Sequence, residues 1–181
     1  MAEPAEVLLL GDARLRVRSA EVTRFGDPAL RAGLEALAAT LHDFRRRHGF
    51  GRAISAPQIG LPLRAIAVNL GAGTFFVVNP VVTWRSEETF TMWDDCMSFP
   101  DLLVRVRRNA SLSLDYAGED GRPKEWRELS TAESELLQHE IDHLDGVLAV
   151  DRALDRESLV MRREFEAHRE TYAAMADYVI G

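Results

Sequence analysis

Cysteine is nearly absent: Cys96 stands alone in 181 residues, so no internal disulfide can form. An unpaired cysteine is left with three roles: a small buried apolar side chain, a reactive thiol or a metal ligand. Long apolar runs are missing too, since no stretch approaches the ~20 residues that a membrane helix needs. The opening MAEPAEVLLLGDARLR has no basic segment followed by a long apolar one. It does not read as a signal peptide, and the expected location is the cytoplasm. Positive charge is in deficit, with a formal net charge of −7. That balance favours solubility and argues against a general nucleic-acid surface or an anionic membrane as partner. Internal repeats, low-complexity tracts and linkers are not found. With 46% hydrophobic and 28% charged residues, the chain has the composition of a globular protein and the length of one domain. Residues 1–181 are therefore read as a single domain.

What is present divides into helices at both ends and strands between them. From Asp27 to His48, Leu30, Leu34, Leu37, Leu41 and Phe44 recur at the spacing of one helical face, behind an Asp-Pro start signal. Gly49 and Gly51 end that helix. LRAIAVNL reads as a strand, GAG as a turn, and TFFVVNPVVTW as one or two strands. LLVRVRR and ASLSLDYA alternate as strands do, and GEDGRP after them is turn chemistry. Arg105, Arg107 and Arg108 are expected to form a solvated strand face. STAESELLQHEIDHL is a second helix, with Ser130 or Thr131 as N-cap, glutamates in its first turn and Gly146 closing it. Residues 155–176 form a charged, helix-prone tail. The class is α+β.

Within the second helix, QHEIDHLDG sets His139 and His143 four residues apart with Glu140 and Asp142 between them. Positions i and i+4 share a face, so both imidazoles can reach one ion. Ala132 and Leu136 extend that face as an apolar stripe. Glu140, beside the first histidine, is placed to reach a water on the ion. Two histidines leave a tetrahedral site short of a third protein ligand. Downstream, Asp145, Asp151, Asp155, Glu157 and His168 fall in no recognisable third-ligand pattern. Upstream, Cys96 lies in WDDCMSFP, where Asp94, Asp95 and Ser98 do not look like a core strand, and a loop cysteine among polar groups is better placed to bind metal than to pack.

Three stretches resemble the motifs of the peptide deformylase family. GRAISAPQIG (51–60) is similar to its glycine–APQ loop, DDCMS (94–98) to its EGCLS motif and QHEIDH (138–143) to its HExDH helix. The likeness covers roughly residues 10–152, leaving 155–181 as a tail. It implies antiparallel strands packed around the helix that carries the histidines, with a helix before them and a helical tail after. It implies one divalent ion on Cys96, His139 and His143: Fe(II) in cells, with Zn, Ni or Co tolerated. It implies Glu140 as general acid and base, and the Gln58 side-chain amide and Met97 N–H as donors to the oxyanion. The reaction would release formate from the formyl-methionine end of a nascent polypeptide, with the ribosome as a possible place of action. Pro57 and Gly60 would shape the loop that aims Gln58. For Asp142 two readings stand, orienting a ligand histidine or capping the helix and facing solvent; for Arg108, pairing with Asp94 or standing exposed on its strand.

The sequence departs from that family around the substrate. Asp94 replaces a glutamate. Asp95 replaces a glycine that lies along the substrate backbone, which adds bulk and negative charge. Ala53 stands where a second glycine is usual, Arg52 where an apolar residue is common, and Ala132 is small for a residue that helps line the methionine pocket. Two other readings therefore stand beside a deformylase of nascent chains: a hydrolase of another small N-formyl or N-acyl compound, and a paralogue that binds metal without turnover.

Overall fold

The computed structural model describes residues 2–179. Helix α1 (Pro28–His48) starts where the Asp27 carboxylate accepts the Ala29 N–H at 2.9 Å, an N-cap followed by proline. It ends at Gly49, whose left-handed φ of +77° suits glycine. Leu30, Leu34, Leu37, Leu41 and Phe44 are all buried, as their spacing requires. They pack with Ile54, Ala65, Ala67 and Val78 of the sheet beneath.

Two antiparallel sheets follow. The larger is made of β1 (Ala53–Ser55), β2 (Ala65–Asn69), β3 (Thr74–Arg85), β6 (Leu112–Ala117) and β7 (Pro123–Trp126), adjacent in that order. The smaller joins β4 (Thr89–Asp95), β5 (Leu102–Asn109) and β8 (Leu159–Met161). TFFVVNPVVTW proves to be part of the single strand β3, bent by two register shifts against β6. Asn79 takes a φ of +51° at that bend. Its side chain accepts the Val22 N–H (2.9 Å) and donates to the Val22 carbonyl (2.8 Å), which ties the N-terminal segment to the sheet.

Helix α2 (Thr131–Leu144) lies between the sheets, packed on β1 and β5. Ser130 and Glu133 close a capping box at its start, with the Ser130 N–H donating to the Glu133 carboxylate at 2.9 Å. Leu137 and Leu144, both fully buried, pack on Ile66, Val68, Val77, Leu112 and Leu114 of the larger sheet. That leaves His139, Glu140 and His143 turned toward the end of β4. Just past the helix, Gly146 has a φ of +74°, and a Cβ there would meet the Arg16 carbonyl at 2.5 Å.

The tail is more mixed than its composition suggests. It opens with the short strand β8, and among the described residues its helices are α3 (Arg162–Ala167) and α4 (Arg169–Ala173). The tail docks on Trp93 of β4: the indole Nε1 donates to the Tyr172 carbonyl at 2.7 Å, and Phe165 meets the ring edge-on at 5.9 Å. The arginine run is not one solvated face. Arg107 is exposed, but Arg108, the next residue, points into the protein and is buried, as strand alternation requires.

Candidate metal centre and active site

β4 ends at Asp95, and the chain turns at once, which places Cys96 over α2. Cys96, His139 and His143 are all buried and each offers one ligand atom; these atoms lie within 4.8 Å of one another. The His143 Nε2 is 3.2 Å from the Cys96 Sγ and 3.2 Å from the His139 Nε2. An ion held at about 2.0–2.3 Å by two imidazoles and a thiolate needs donors roughly 3.3–3.6 Å apart in tetrahedral geometry. The spacing fits a metal. The charges fit as well. Burial pushes the Cys96 thiol up despite His139 beside it, so the thiolate needs a cation at this point. Burial also drives His143 well below its ordinary value, reinforced by His139, which leaves a neutral imidazole able to ligate.

A polar chain, buried at its inner end, holds the ligands from behind. The His139 Nδ1 lies 3.0 Å from an Asp94 carboxylate oxygen, which leaves its Nε2 for the centre. Arg108 donates to Asp94 at 2.9 Å and to Asp142 at 2.6 Å, and Arg152 donates to Asp142 at 2.7 Å. Burial opposes the charge on Asp94, but His139 and Arg108 outweigh it and hold that carboxyl well below the usual range. The expected Arg108–Asp94 pair is present. Asp142, however, touches neither histidine. Asp94 orients His139, because strand β4 brings it under the ring while Asp142 on the helix faces the arginines. Among the described residues the His143 Nδ1 is buried with no hydrogen-bond partner, and the surrounding residues do not explain it.

Glu140 and Gln58 converge on the same point. The Ser55 hydroxyl lies 2.5 Å from the Glu140 carboxylate and 2.9 Å from the Glu140 carbonyl, pinning the side chain beside His139. Burial raises the Glu140 carboxyl above its ordinary range, with His139 and Ser55 pulling the other way. The Gln58 carbonyl accepts the Ser55 N–H at 2.9 Å, which turns its amide nitrogen toward the Ser98 hydroxyl (3.3 Å) and the Cys96 sulfur (3.7 Å). Pro57 and Gly60, in the short helical turn after β1, carry Gln58 into this position; Gly60 has a left-handed φ of +79°. Ser55 is the site residue that sequence reasoning missed. It sits inside the glycine–APQ stretch, but nothing in that stretch reveals the helix it will face.

A cavity of about 230 Å³ opens from these groups, lined by Gly51, Arg52, Asp95, Met97, Glu135 and Leu136 among others. Gly51 is required here: its φ is +110°, and a Cβ would lie 2.5 Å from the Met97 side chain. Asp95 does not bring an uncompensated charge. Arg162 of the tail donates to it at 3.0 Å and to the Pro100 carbonyl at 2.6 Å, while its guanidinium lies 4.4 Å from the Phe50 ring centre. Nor is the histidine face of α2 an apolar stripe. Glu135 interrupts it, buried and bonded to Arg52, which also donates to the Ala132 carbonyl at 3.0 Å. Burial lifts the Glu135 carboxyl to about 7 against the pull of Arg52.

A buried Cys-His-His cluster with a fixed carboxylate at its rim and an open cavity in front defines a metallo-hydrolase. The polypeptide deformylase family model matches residues 4–158. The chain is 34% identical over 157 residues to the peptide deformylase of Thermotoga neapolitana, covering 87% of this chain and 92% of the relative. It is 37% identical over 163 residues to a peptide deformylase-like protein of Bradyrhizobium diazoefficiens, covering 84% and 88%. The crystal structure of the Thermotoga maritima peptide deformylase superimposes with a TM-score of 0.76 at 31% identity, covering 84% of this chain and 99% of that one. The chain belongs to the polypeptide deformylase family. It is thus a metallo-hydrolase that removes N-formyl groups from nascent peptides.

Proposed function

We propose that Cys96, His139 and His143 hold one divalent ion, Fe(II) in cells, and that Glu140, Gln58 and Met97 carry the hydrolysis around it. The convergence of the three buried ligand atoms within 4.8 Å supports this reading above all. Once bound, such an ion supplies Lewis-acid chemistry, acidifying a water toward neutral pH and polarising the formyl carbonyl. Glu140 takes the proton from the attacking water and passes it to the departing amine nitrogen. Ser55 keeps the carboxylate from swinging away. The Gln58 amide N–H and the Met97 N–H donate to the formyl oxygen as charge builds on it. Among the described residues the Met97 N–H has no partner within the protein, leaving it free for that role. Residues 1–181 act as one domain in the cytoplasm, on formylated chains as they leave the ribosome, with no nucleic-acid or membrane surface required. No helix in the described residues is long and apolar enough to cross a membrane.

The test is formate release from formyl-Met-Ala-Ser by protein loaded anaerobically with Fe(II), and again with Zn(II), alongside elemental analysis. One ion per chain and faster turnover with Fe(II) are expected. One ion per chain with no formate from any formyl peptide would leave a metal-binding paralogue in place of an enzyme.

A further inference from the structure

The segment that carries Cys96 and Met97 turns sharply between the end of β4 at Asp95 and the start of β5 at Leu102. Inside this turn the Phe99 N–H donates to the Cys96 carbonyl at 3.2 Å and the Leu102 N–H to the Phe99 carbonyl at 3.0 Å. Groups from outside hold it in place. From the N-terminal segment the Leu10 N–H donates to the Ser98 carbonyl at 2.8 Å. From the tail Arg162 bonds it at three points. Its backbone N–H donates to the Asp101 carbonyl and its Nε to the Pro100 carbonyl, both at 2.6 Å, and a terminal nitrogen donates to the Asp95 carboxylate at 3.0 Å. One side chain joins both ends of the turn.

The same guanidinium lies 4.4 Å from the ring centre of Phe50, which lines the cavity together with Asp95. The chain runs from Phe50 through β1 to Ser55 and Gln58. Arg162 therefore touches both segments that supply reacting groups, one leading to Gln58 and the other carrying Cys96 and Met97. A planar fork with several donors can make these contacts at once, which a single ammonium cannot. Arg162 is itself well anchored. Met161 before it pairs with Leu102, and Phe165 after it is buried against Trp93, Leu103 and Val160. It lies beyond residues 4–158, which the family model matches. Its acceptor Asp95 is one of the positions at which this chain departs from the family's motif.

We propose that Arg162 is a positioning residue for the hydrolysis: by clamping the turn from Asp95 to Pro100 it keeps the Cys96 sulfur and the Met97 N–H in place, and so makes the tail part of the catalytic unit. The inference rests on the reading of Cys96 as ligand and Met97 N–H as donor, and adds the residue that holds both. Arg162 touches no reacting atom. Without its fork the turn keeps the pairing of Asp95 with Leu103 at its base but loses the tie across its ends. A donor to developing charge works only when it is fixed beforehand, and small displacements of such groups are costly.

The experiment titrates the full chain, stripped of metal, with Co(II), whose absorption reports thiolate ligation and its geometry, and then measures kcat and KM on formyl-Met-Ala-Ser. Arg162→Met keeps an apolar stem over Phe50 and removes the fork. It is expected to shift the cobalt–thiolate absorption, weaken Co(II) binding by about 10-fold and lower kcat by a similar factor with KM little changed, in the range seen when a residue supporting a metal ligand is lost. Arg162→Lys should recover only part of this. Asp95→Ala reaches the same contact from the turn, and in that background Arg162→Met should cost less than it does alone. Asp155→Ala breaks the 2.9 Å ion pair between the tail and Arg105 of β5. It should leave absorption and kcat at wild-type values, which separates clamping of the turn from general loosening of the tail. Unchanged absorption and kcat in Arg162→Met, or equal losses in Asp155→Ala, overturn the proposal. A wild type that binds Co(II) without a thiolate band would overturn the Cys96 assignment, and the proposal with it.

Discussion

The ligand side of the site and the cleft side both draw on helix α2 and the end of β4, yet they hold their charges differently. Behind the ligands, Arg152, Asp142, Arg108, Asp94 and His139 form one continuous chain of ion pairs and hydrogen bonds ending at the centre. Every member orients the next. Around the cleft the charges form separate pairs, each contributed by distant segments: Arg52 with Glu135, 83 residues apart, and Asp95 with Arg162, 67 residues apart. The first arrangement fixes geometry. The second shapes the wall of the cavity. The sharpest tests therefore act on one arrangement while reading the other.

The largest effect is expected at the centre itself. Cys96→Ala removes the one thiolate and leaves two imidazoles, so elemental analysis should find the metal largely lost and formate release abolished. An occupied site in that variant would break the three-ligand assignment. Glu140→Gln should leave metal content unchanged while activity falls by about 10²–10⁴-fold, the usual worth of a positioned proton carrier. Near-normal turnover in this variant would move the proton transfer to another group. Ser55→Ala provides the graded control: it removes the hydroxyl that pins Glu140 without touching the metal, and should cost less than Glu140→Gln.

The two sides also differed in how far the sequence revealed them. His139 and His143 declare themselves by helical spacing, and α1 and α2 by their caps and apolar periodicity, all of which are local signals. Cys96 and Gln58 were legible through short motifs in register. The cleft was not, because its pairs are long-range contacts between residues that look like ordinary surface charges. Glu135 reads as a first-turn helix glutamate until Arg52 is found against it. Asp95 reads as a free carboxylate in the cleft until the tail supplies Arg162. Asp142 was one candidate support for a histidine because it shares the helix, while the actual support, Asp94, arrives from strand β4. Strands β1 and β8 escaped notice because three residues carry too little alternation to register, and β4 because its end runs into the acidic pair Asp94 and Asp95.

The smallest expected effect tests whether the cleft pair is maintained against its own cost in stability. Burial lifts Glu135 from its ordinary value of 4.5 to about 7 even with Arg52 beside it. Between those two values the folded protein holds a proton that the unfolded chain has released. Stability then falls as pH rises through that window, and the loss is complete above about 7. The size is on the order of 1–3 kcal/mol, since a proton held more tightly by a factor of ten is worth roughly 1.4 kcal/mol. Glu135→Gln keeps the shape and an acceptor for Arg52 but cannot ionise, so it removes this slope. Thermal midpoints of the two proteins, both metal-loaded, should nearly coincide at pH 5, and the variant should be the more stable at pH 8. Parallel curves across that range would mean that Arg52 already offsets the burial of Glu135 in full. The pair would then be a stabilising feature of the fold.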